Sequence, residues 1–213
     1  MKPFIAEKGV IALLDRANVD TDQIIPKQFL KSIKRTGFET QLFYDWRYLE
    51  NGSDNPDFEL NQPRYKNAKF LLTRNNFGCG SSREHAVWAI HQYGFKSILA
   101  PRKKNGEAII PGFADIFRNN CVKNGILPIE LAEETVNELF KLVETNPGLE
   151  TTINLQEQTL TFHAKSARVE RFEIDPQTKD HLMKGLDDIQ QTLEFEAQIS
   201  AFETSHNTQI SNQ

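Results

Sequence analysis

A glycine-rich stretch decides the fold of this chain: residues 76–86 read Asn-Phe-Gly-Cys-Gly-Ser-Ser-Arg-Glu-His-Ala. Apolar residues follow it at helical spacing, which predicts a helix that runs to Tyr93 and ends at Gly94. Residues 68–73 before the stretch and residues 96–100 after it are apolar runs of strand length. The loop is therefore predicted at a strand-to-helix turn, where free backbone amides and the positive helix end favour an anion.

The polar side chains of this turn suit a negatively charged ligand. Ser81 and Glu84 match a capping box, in which each side chain accepts a hydrogen bond from the other residue's backbone amide. Ser82 adds a second hydroxyl, and the planar guanidinium of Arg83 can hold a carboxylate by two parallel hydrogen bonds. The pattern indicates a site for a small acid, although a helix cap beside a solvated arginine explains the same residues.

Better-known glycine motifs do not match. No lysine follows these glycines as a Walker loop requires, no G-x-S-x-G turn is present, and Arg83 occupies the place of the third glycine in a dinucleotide fingerprint. Cys79 and His85 leave a second chemistry open, in which the helix end lowers the pKa of the thiol and the histidine acts as a base. A cysteine in such a turn is more often a small packed residue.

Composition describes an ordinary water-soluble domain: 213 residues, 38% of them hydrophobic, with a net charge of −4. The mildly acidic balance argues against non-specific nucleic-acid binding, which needs a basic face, and the short apolar runs and the N-terminal Met-Lys-Pro-Phe suggest neither a secretory signal nor a membrane span. Cys79 and Cys121 are the only cysteines, so a disulfide framework is not expected and a reducing cytoplasm fits. The five histidines follow no compact metal-binding pattern.

Two segments resemble a known family. The run Gly80–Ala86 resembles the signature of the mobile domain of the aconitase superfamily, and residues 18–26 (Asn-Val-Asp-Thr-Asp-Gln-Ile-Ile-Pro) are similar to that domain's second signature. Further similarity, to the small subunits of isopropylmalate isomerase (3-isopropylmalate dehydratase), runs through residues 35–38, 43–47 and 185–189. The resemblance implies an α/β fold: a single compact swivelling β/β/α domain of the aconitase C-terminal-domain type over residues 1–202. Residues 203–213 are then a polar tail that we expect to be disordered.

The resemblance also implies an activity. Members of this family interconvert 2-isopropylmalate and 3-isopropylmalate through isopropylmaleate, a dehydration and rehydration in leucine biosynthesis, and act together with a large subunit. A dehydratase-type 4Fe-4S cluster needs at least three cysteine thiolates, and this chain has two, so the cluster is expected on the partner and no metal on this chain. Two other functions stay open: a related hydro-lyase for another diacid, such as homoaconitate or methylmalate, and a non-catalytic module that binds carboxylates or RNA.

Carried over residue by residue, the family pattern assigns roles in the glycine turn and in the second signature. Ser81 is implied as the base that removes a proton, in a position where a helix start and Arg83 stabilise its alkoxide. Ser82 and Arg83 are implied as contacts to the substrate carboxylate. Asp22 is implied as an acidic residue lining the site, although an Asx-type turn cap would also explain it.

Specificity is expected in the loop that follows the second signature. Residues 27–38 are rich in lysine and arginine without a clean period, which predicts a mobile loop. In the family this region meets the variable substituent of the substrate, and Leu30 and Lys31 stand there. Leu30 favours an isopropyl group, whereas Lys31 is able to reach an added carboxylate.

The rest of the chain predicts a mixed α/β order. We predict strands at 10–14 and 126–129, a hairpin at 151–155 and 159–162, and helices at 113–117, 133–144, 178–184 and 193–202.

Overall fold

The structure, a computed structural model, describes residues 1–31, 35–81, 83–186 and 188–210. Its strands are β1 (Ala6–Leu14), β2 (Phe70–Thr73), β3 (Ser97–Asn105), β4 (Ala108–Ile110), β5 (Leu127–Ala132), β6 (Glu150–Asn154), β7 (Thr159–Phe162) and β8 (Arg168–Arg171). Its α-helices are α1 (Thr21–Ile24), α2 (Tyr44–Arg47), α3 (Glu84–Tyr93), α4 (Asp115–Lys123), α5 (Glu133–Thr145), α6 (Pro176–Lys184), α7 (Asp188–Leu193) and α8 (Glu196–Ile210). Short 3-10 helices span Lys27–Lys31, Glu39–Gln41, Glu59–Asn61 and Pro63–Tyr65. The described strands form one mixed sheet in the order β4-β3-β2-β1-β6-β7-β8, with β5 also paired to β3.

One half of the sheet is parallel. The second half of β1 pairs with β2, from Ile11 opposite Phe70 to Leu14 opposite Thr73, and β3 runs parallel to both β2 and β5. Every residue of β2 is buried, as is typical of a central parallel strand covered on both faces. The strands predicted on either side of the glycine loop are confirmed, and they are neighbours in the sheet.

The other half of the sheet is antiparallel and shares β1. The first half of β1 pairs with β6, from Ala6 opposite Asn154 to Val10 opposite Glu150. Strands β6 and β7 form the predicted hairpin, and β8 pairs with β7. The sequence did not predict β8, whose four residues include three charged ones, nor the short β4. β1 is therefore the strand that joins the two halves.

The longer helices follow the predicted apolar patterns. Helix α5 buries all four residues of its predicted face, Val136, Leu139, Phe140 and Val143, and packs on the parallel strands. Helix α3 ends at Gly94, whose backbone N–H donates to the carbonyls of the last turn. Helix α4 follows Pro111-Gly112 as expected but begins at Asp115 and extends to Lys123.

Two segments differ from the predicted structure. Residues 27–31 form a 3-10 helix rather than a loop, because Pro26 fixes the preceding backbone and its carbonyl accepts from the Phe29 amide at 3.0 Å. Near the C-terminus, α7 and α8 replace the single helix predicted at 193–202. Helix α8 continues to Ile210, and the disorder expected for residues 203–213 stays a prediction. Across the described part of the chain, no helix is both long and apolar enough to cross a membrane.

Candidate functional site

Two loops meet where β1 and β2 end. Because these strands are parallel neighbours, the segments that follow them leave the same edge of the sheet, where α/β proteins commonly bind ligands. Asp20 and Cys79 form a parallel bridge; the Thr21 amide donates to the Cys79 carbonyl at 3.0 Å, and the Gly78 amide to the Val19 carbonyl at 2.8 Å. We call residues 18–22 and 75–81 the paired loops. Through them the structure brings the two signature segments together.

Glycine is required at position 80 because the paired loops approach each other closely there. Its φ of +84° lies in the left-handed region, and a Cβ built there would overlap the carboxylate of Asp20. The sequence predicted a glycine turn suited to an anion. The structure adds that the Asp20 side chain occupies the space a side chain at position 80 would need.

Asp20 holds the first loop by capping α1. Its carboxylate accepts from the Asp22 amide at 2.7 Å, and the Gln23 side chain accepts from the Asp20 amide at 2.9 Å, which completes a capping box. The cap that we considered for Asp22 therefore belongs to Asp20. Asp20 and Gln23 have the spacing of a capping box in the sequence, so this signal was available and was missed.

The capping box predicted for Ser81 and Glu84 is wrong. Helix α3 begins at Glu84, its N-cap is Arg83, and no side chain caps it. The Glu84 carboxylate instead accepts from the Asn124 amide group at 3.1 Å. Ser81 lies at the surface two residues before the N-cap, and its carbonyl accepts from the Thr21 hydroxyl at 3.4 Å. The backbone at Ser81 is thus tied to the first loop.

Three charged side chains, those of Asp22, Lys27 and Arg83, form a cluster. Arg83 Nη1 lies 3.8 Å from Asp22 Oδ1, and Lys27 Nζ lies 2.9 Å from Asp22 Oδ2. The side chains of Arg83 and Lys27 remain 44% and 73% exposed, so each keeps most of its donors for another partner. The structure thus brings together the predicted Asp22 and Arg83 and adds Lys27, which the sequence argument placed only in a charged loop. Surface pairs of this kind contribute about 0–1 kcal/mol, so the cluster orients charge more than it stabilises the fold.

The other predicted substrate contacts are placed less completely. Leu30 is half buried against the core, and the ring of neighbouring Phe29 packs edge-on against Tyr44 at 5.0 Å. Lys31 is the last residue of the 3-10 helix, and the role of its side chain stays a prediction. Ser82 lies outside the described residues, so its role also stays a prediction.

The alternative of a Cys79 nucleophile loses support. Burial, and secondarily the negative charge of Asp20, raise the pKa of the Cys79 thiol, so it is protonated at neutral pH and weakly nucleophilic. Its Sγ donates to the Asn18 carbonyl at 3.3 Å. The ring of His85 packs against Trp88 at 4.7 Å and against Phe38 at 5.5 Å, so its contacts are those of a packed aromatic side chain.

The described residues do not fit an iron–sulfur cluster. Cys121 is fully buried in the core, and Cys79 belongs to the paired loops. Within the ranges that the structure describes, no three histidine, cysteine, aspartate or glutamate side chains are grouped as metal ligands. The cluster offers instead two exposed cations, Arg83 and Lys27, which suit a small carboxylate.

Comparisons with known proteins agree on one family. The family model of the aconitase C-terminal domain matches residues 1–134, and a second model, LeuD_N, matches residues 137–176. A curated relative from Desulforapulum autotrophicum, named 3-isopropylmalate dehydratase small subunit, is 52% identical over 208 residues, which cover 98% of this chain and 97% of the relative. A relative of the same name from Leptospira interrogans is 54% identical over 205 residues, 95% of this chain and 94% of the relative.

A solved structure supports the fold. The crystal structure of 3-isopropylmalate dehydratase from Methanocaldococcus jannaschii matches with a TM-score of 0.63 over 93% of this chain and 99% of that chain. At 21% identity this likeness is evidence of the fold alone, and it confirms the predicted α/β architecture. With the sequence matches, it leads to one conclusion: the chain belongs to the family of 3-isopropylmalate dehydratase small subunits, which carry the aconitase C-terminal domain.

Proposed function

We propose that this chain is the small subunit of a hydro-lyase that interconverts 2-isopropylmalate and 3-isopropylmalate through isopropylmaleate, in leucine biosynthesis. The observation that carries the proposal is the cluster of Asp22, Arg83 and Lys27, together with the hydrogen bond that ties the Ser81 backbone to Thr21 on the same loop as Asp22. Two exposed cations and a hydroxyl on adjoining segments are what a dicarboxylate reaction needs from one wall of its site. The names of relatives at 52–54% identity support the same reaction.

Arg83 binds a substrate carboxylate in this proposal. Its Nη1 lies 3.8 Å from Asp22 Oδ1, which is longer than a hydrogen bond, so the guanidinium keeps donors for bidentate binding. Ser82, which precedes Arg83 in the sequence, is proposed to add a hydroxyl donor. Asp22 lines the site but does not bind the substrate carboxylate, because two negative charges repel each other. Its role in this proposal is to keep the side chains of Arg83 and Lys27 in place.

Ser81 removes the proton. The bond that breaks joins hydrogen to the carbon beside a carboxylate, the proton passes to Ser81 Oγ, and the hydroxyl leaves from the neighbouring carbon as the double bond of isopropylmaleate forms. Rehydration returns a proton and a hydroxyl with their positions exchanged. Since helix α3 begins only at Glu84, we assign the stabilisation of the Ser81 alkoxide chiefly to the charge of Arg83 rather than to the helix amides.

A large subunit completes the site. Ser81 is exposed to solvent in this chain, whereas the carbanion-like species formed when the proton is removed needs a site closed to water. The departing hydroxyl needs an electrophile, which the described residues do not provide. We assign it to the large subunit, on which we expect a 4Fe-4S cluster, and we expect both chains in the cytoplasm.

Leu30 and Lys31 are proposed to select the substrate. Leu30 lies four residues after Pro26 on the 3-10 helix that follows the first paired loop, and its exposed portion suits an isopropyl group. Lys31 at the end of that helix is the candidate for contact with a more polar substituent. Turnover of homoaconitate or citramalate in place of isopropylmalate would assign a different diacid to the same site.

Anaerobic reconstitution tests the proposal. This chain is mixed with a cluster-bearing large subunit and 2-isopropylmalate, and isopropylmaleate is followed by its ultraviolet absorbance, with each chain alone as a control. We expect activity only in the mixture, and a loss of about 10²- to 10⁴-fold in kcat for Ser81→Ala, the usual contribution of a positioned base. Ser166→Ala, at an exposed serine before β8, is the matched control and should retain full activity. An active Ser81→Ala complex would remove Ser81 from catalysis.

A further inference from the structure

Large apolar side chains are exposed along the C-terminal helices. Half of the ten large hydrophobic residues that are exposed in the described part of the chain lie between residues 189 and 202. They are Ile189 (73% exposed), Leu193 (55%), Phe195 (54%), Ile199 (38%) and Phe202 (61%). An apolar patch of this kind on a water-soluble protein indicates an interaction surface.

The patch has the spacing of a helix interface. Ile189 and Leu193 are four residues apart on α7; Phe195 directly precedes α8, and Ile199 and Phe202 follow it on α8 at intervals of four and three residues. Residues three and four apart lie on the same side of a helix, so these side chains form a seam. A solvated helix of this length is only marginally stable in water, so that a covering surface would stabilise α8.

Charge argues against a second copy of this chain as the cover. Residues 186–213 contain five acidic residues and no lysine or arginine, so this segment accounts for the negative net charge of the chain. Glu196 and Glu203 lie on α8 itself and are exposed. Pairing two such helices would bring like charges together, whereas a basic surface would be attracted.

The segment is also common to this chain and its small-subunit relatives. The match to the Desulforapulum autotrophicum protein covers 98% of this chain and therefore includes most of α8. The two family models, in contrast, end at residue 176, before α6 is complete. The segment that forms α7 and α8 in this chain therefore lies beyond the matched family models, and a relative named as a small subunit shares most of it.

We propose that the seam formed by Leu193, Phe195, Ile199 and Phe202 docks into an apolar groove with basic rims on the large subunit. This inference rests on the proposed function, since it takes its partner from it. The apolar seam supplies the buried contact, and the acidic side chains around it speed association and set the orientation. None of these four residues belongs to the paired loops or to the charged cluster, and in this proposal they serve assembly rather than chemistry.

Binding to the large subunit tests the proposal. The double variant Phe195→Ser/Phe202→Ser should bind the large subunit at least about tenfold more weakly by titration calorimetry, since truncating buried aromatic anchors has effects of this size. At saturating large subunit its kcat should equal that of the wild type. The matched control is Val169→Ser, at an apolar residue of β8 that is 58% exposed, and it should bind normally. Circular dichroism checks that each variant is folded.

A charge variant gives a second measurement that does not depend on the apolar residues. Glu196→Lys/Glu203→Lys should also weaken binding and should reduce its dependence on salt concentration, because attraction to a basic rim is screened by ions. Unchanged affinity in both double variants would overturn the proposal. So would sedimentation showing that the isolated chain dimerises and that Phe195→Ser/Phe202→Ser abolishes the dimer. If the variants lose binding but the wild-type complex does not turn over isopropylmalate, the docking surface stands and the proposed function falls.

Discussion

The two halves of the sheet share β1 but differ in what their loops carry. In the parallel half, β1 and β2 end at one edge, and the segments after them are joined by backbone hydrogen bonds from Gly78 and Thr21. In the antiparallel half, β6, β7 and β8 are joined by turns at alternate ends, so their loops do not gather. Parallel pairing therefore brought residues about 60 positions apart in sequence into one candidate site.

The two halves also differ in how closely an arginine side chain is paired with carboxylates. In the antiparallel half Arg168 donates to Glu138 at 2.6 Å and to Glu170 at 2.7 Å, so its guanidinium is engaged by two carboxylates. In the parallel half Arg83 has, among the residues that the structure describes, one distant ion pair, to Asp22 at 3.8 Å. A cation left largely without partners at the edge of a sheet is available for a ligand, whereas one held by neighbours stabilises structure.

The largest effect that we expect from this contrast comes from Arg83→Lys. The variant keeps the positive charge but loses the planar fork, so kcat/KM for 2-isopropylmalate in the assembled enzyme should fall by at least ~100-fold, the scale of a main electrostatic contact. Steady-state kinetics on the reconstituted complex measure it. The same exchange at Arg171, an exposed residue of β8, should leave kcat/KM unchanged. Equal activities for the two variants would remove the functional distinction between the halves.

The close approach of the paired loops can be tested by stability. Gly80 (φ +84°) and Gly148, which precedes β6 (φ +74°), both have left-handed backbone, so alanine at either position should cost about 1 kcal/mol in strain. A Cβ at position 148 comes only within 4.0 Å of the Arg64 carbonyl, whereas one at position 80 overlaps Asp20. Gly80→Ala should therefore lower the free energy of unfolding by about 1–3 kcal/mol more than Gly148→Ala does.

Urea unfolding of the two glycine variants measures this difference. Adding Asp20→Ala to Gly80→Ala should restore part of the loss, because it removes the carboxylate that the new Cβ meets. If the two single variants unfold at the same urea concentration, the paired loops separate easily and the close approach does not hold the site.

Much of the fold was predictable because local patterns agree with it. The strand–turn–helix–strand unit around the glycine loop and the hairpin of β6 and β7 follow from apolar periodicity and turn residues. Helix α5 was predicted almost to its ends, since its apolar face is unbroken from Val136 to Val143. Strand β8 was not predicted, because three of its four residues, Arg-Val-Glu-Arg, are charged. In the structure Arg168 forms ion pairs with Glu138 and Glu170, and no local sequence pattern indicates such pairs.

The candidate site was predictable only in part. The residue types in the glycine turn pointed to an acid, and the family resemblance supplied their roles. The ion pair between Lys27 and Asp22 depends on the 3-10 helix after Pro26, a segment that has no clear period in the sequence. The contact between Thr21 and Ser81 depends on the order of strands in the sheet, which the sequence left open.

The smallest effect that we expect comes from His91, in the parallel half. Burial, and secondarily the positive charge of Lys96, lower the pKa of His91 in helix α3 below its ordinary value of 6.5. Between pH 6.5 and that lowered pKa the unfolded chain binds a proton that the folded chain does not, so stability falls as the pH falls through this window. His91→Gln should flatten this part of the stability profile, measured by urea unfolding from pH 7.5 to pH 5. Equal slopes for His91→Gln and the wild type would contradict the assignment to His91.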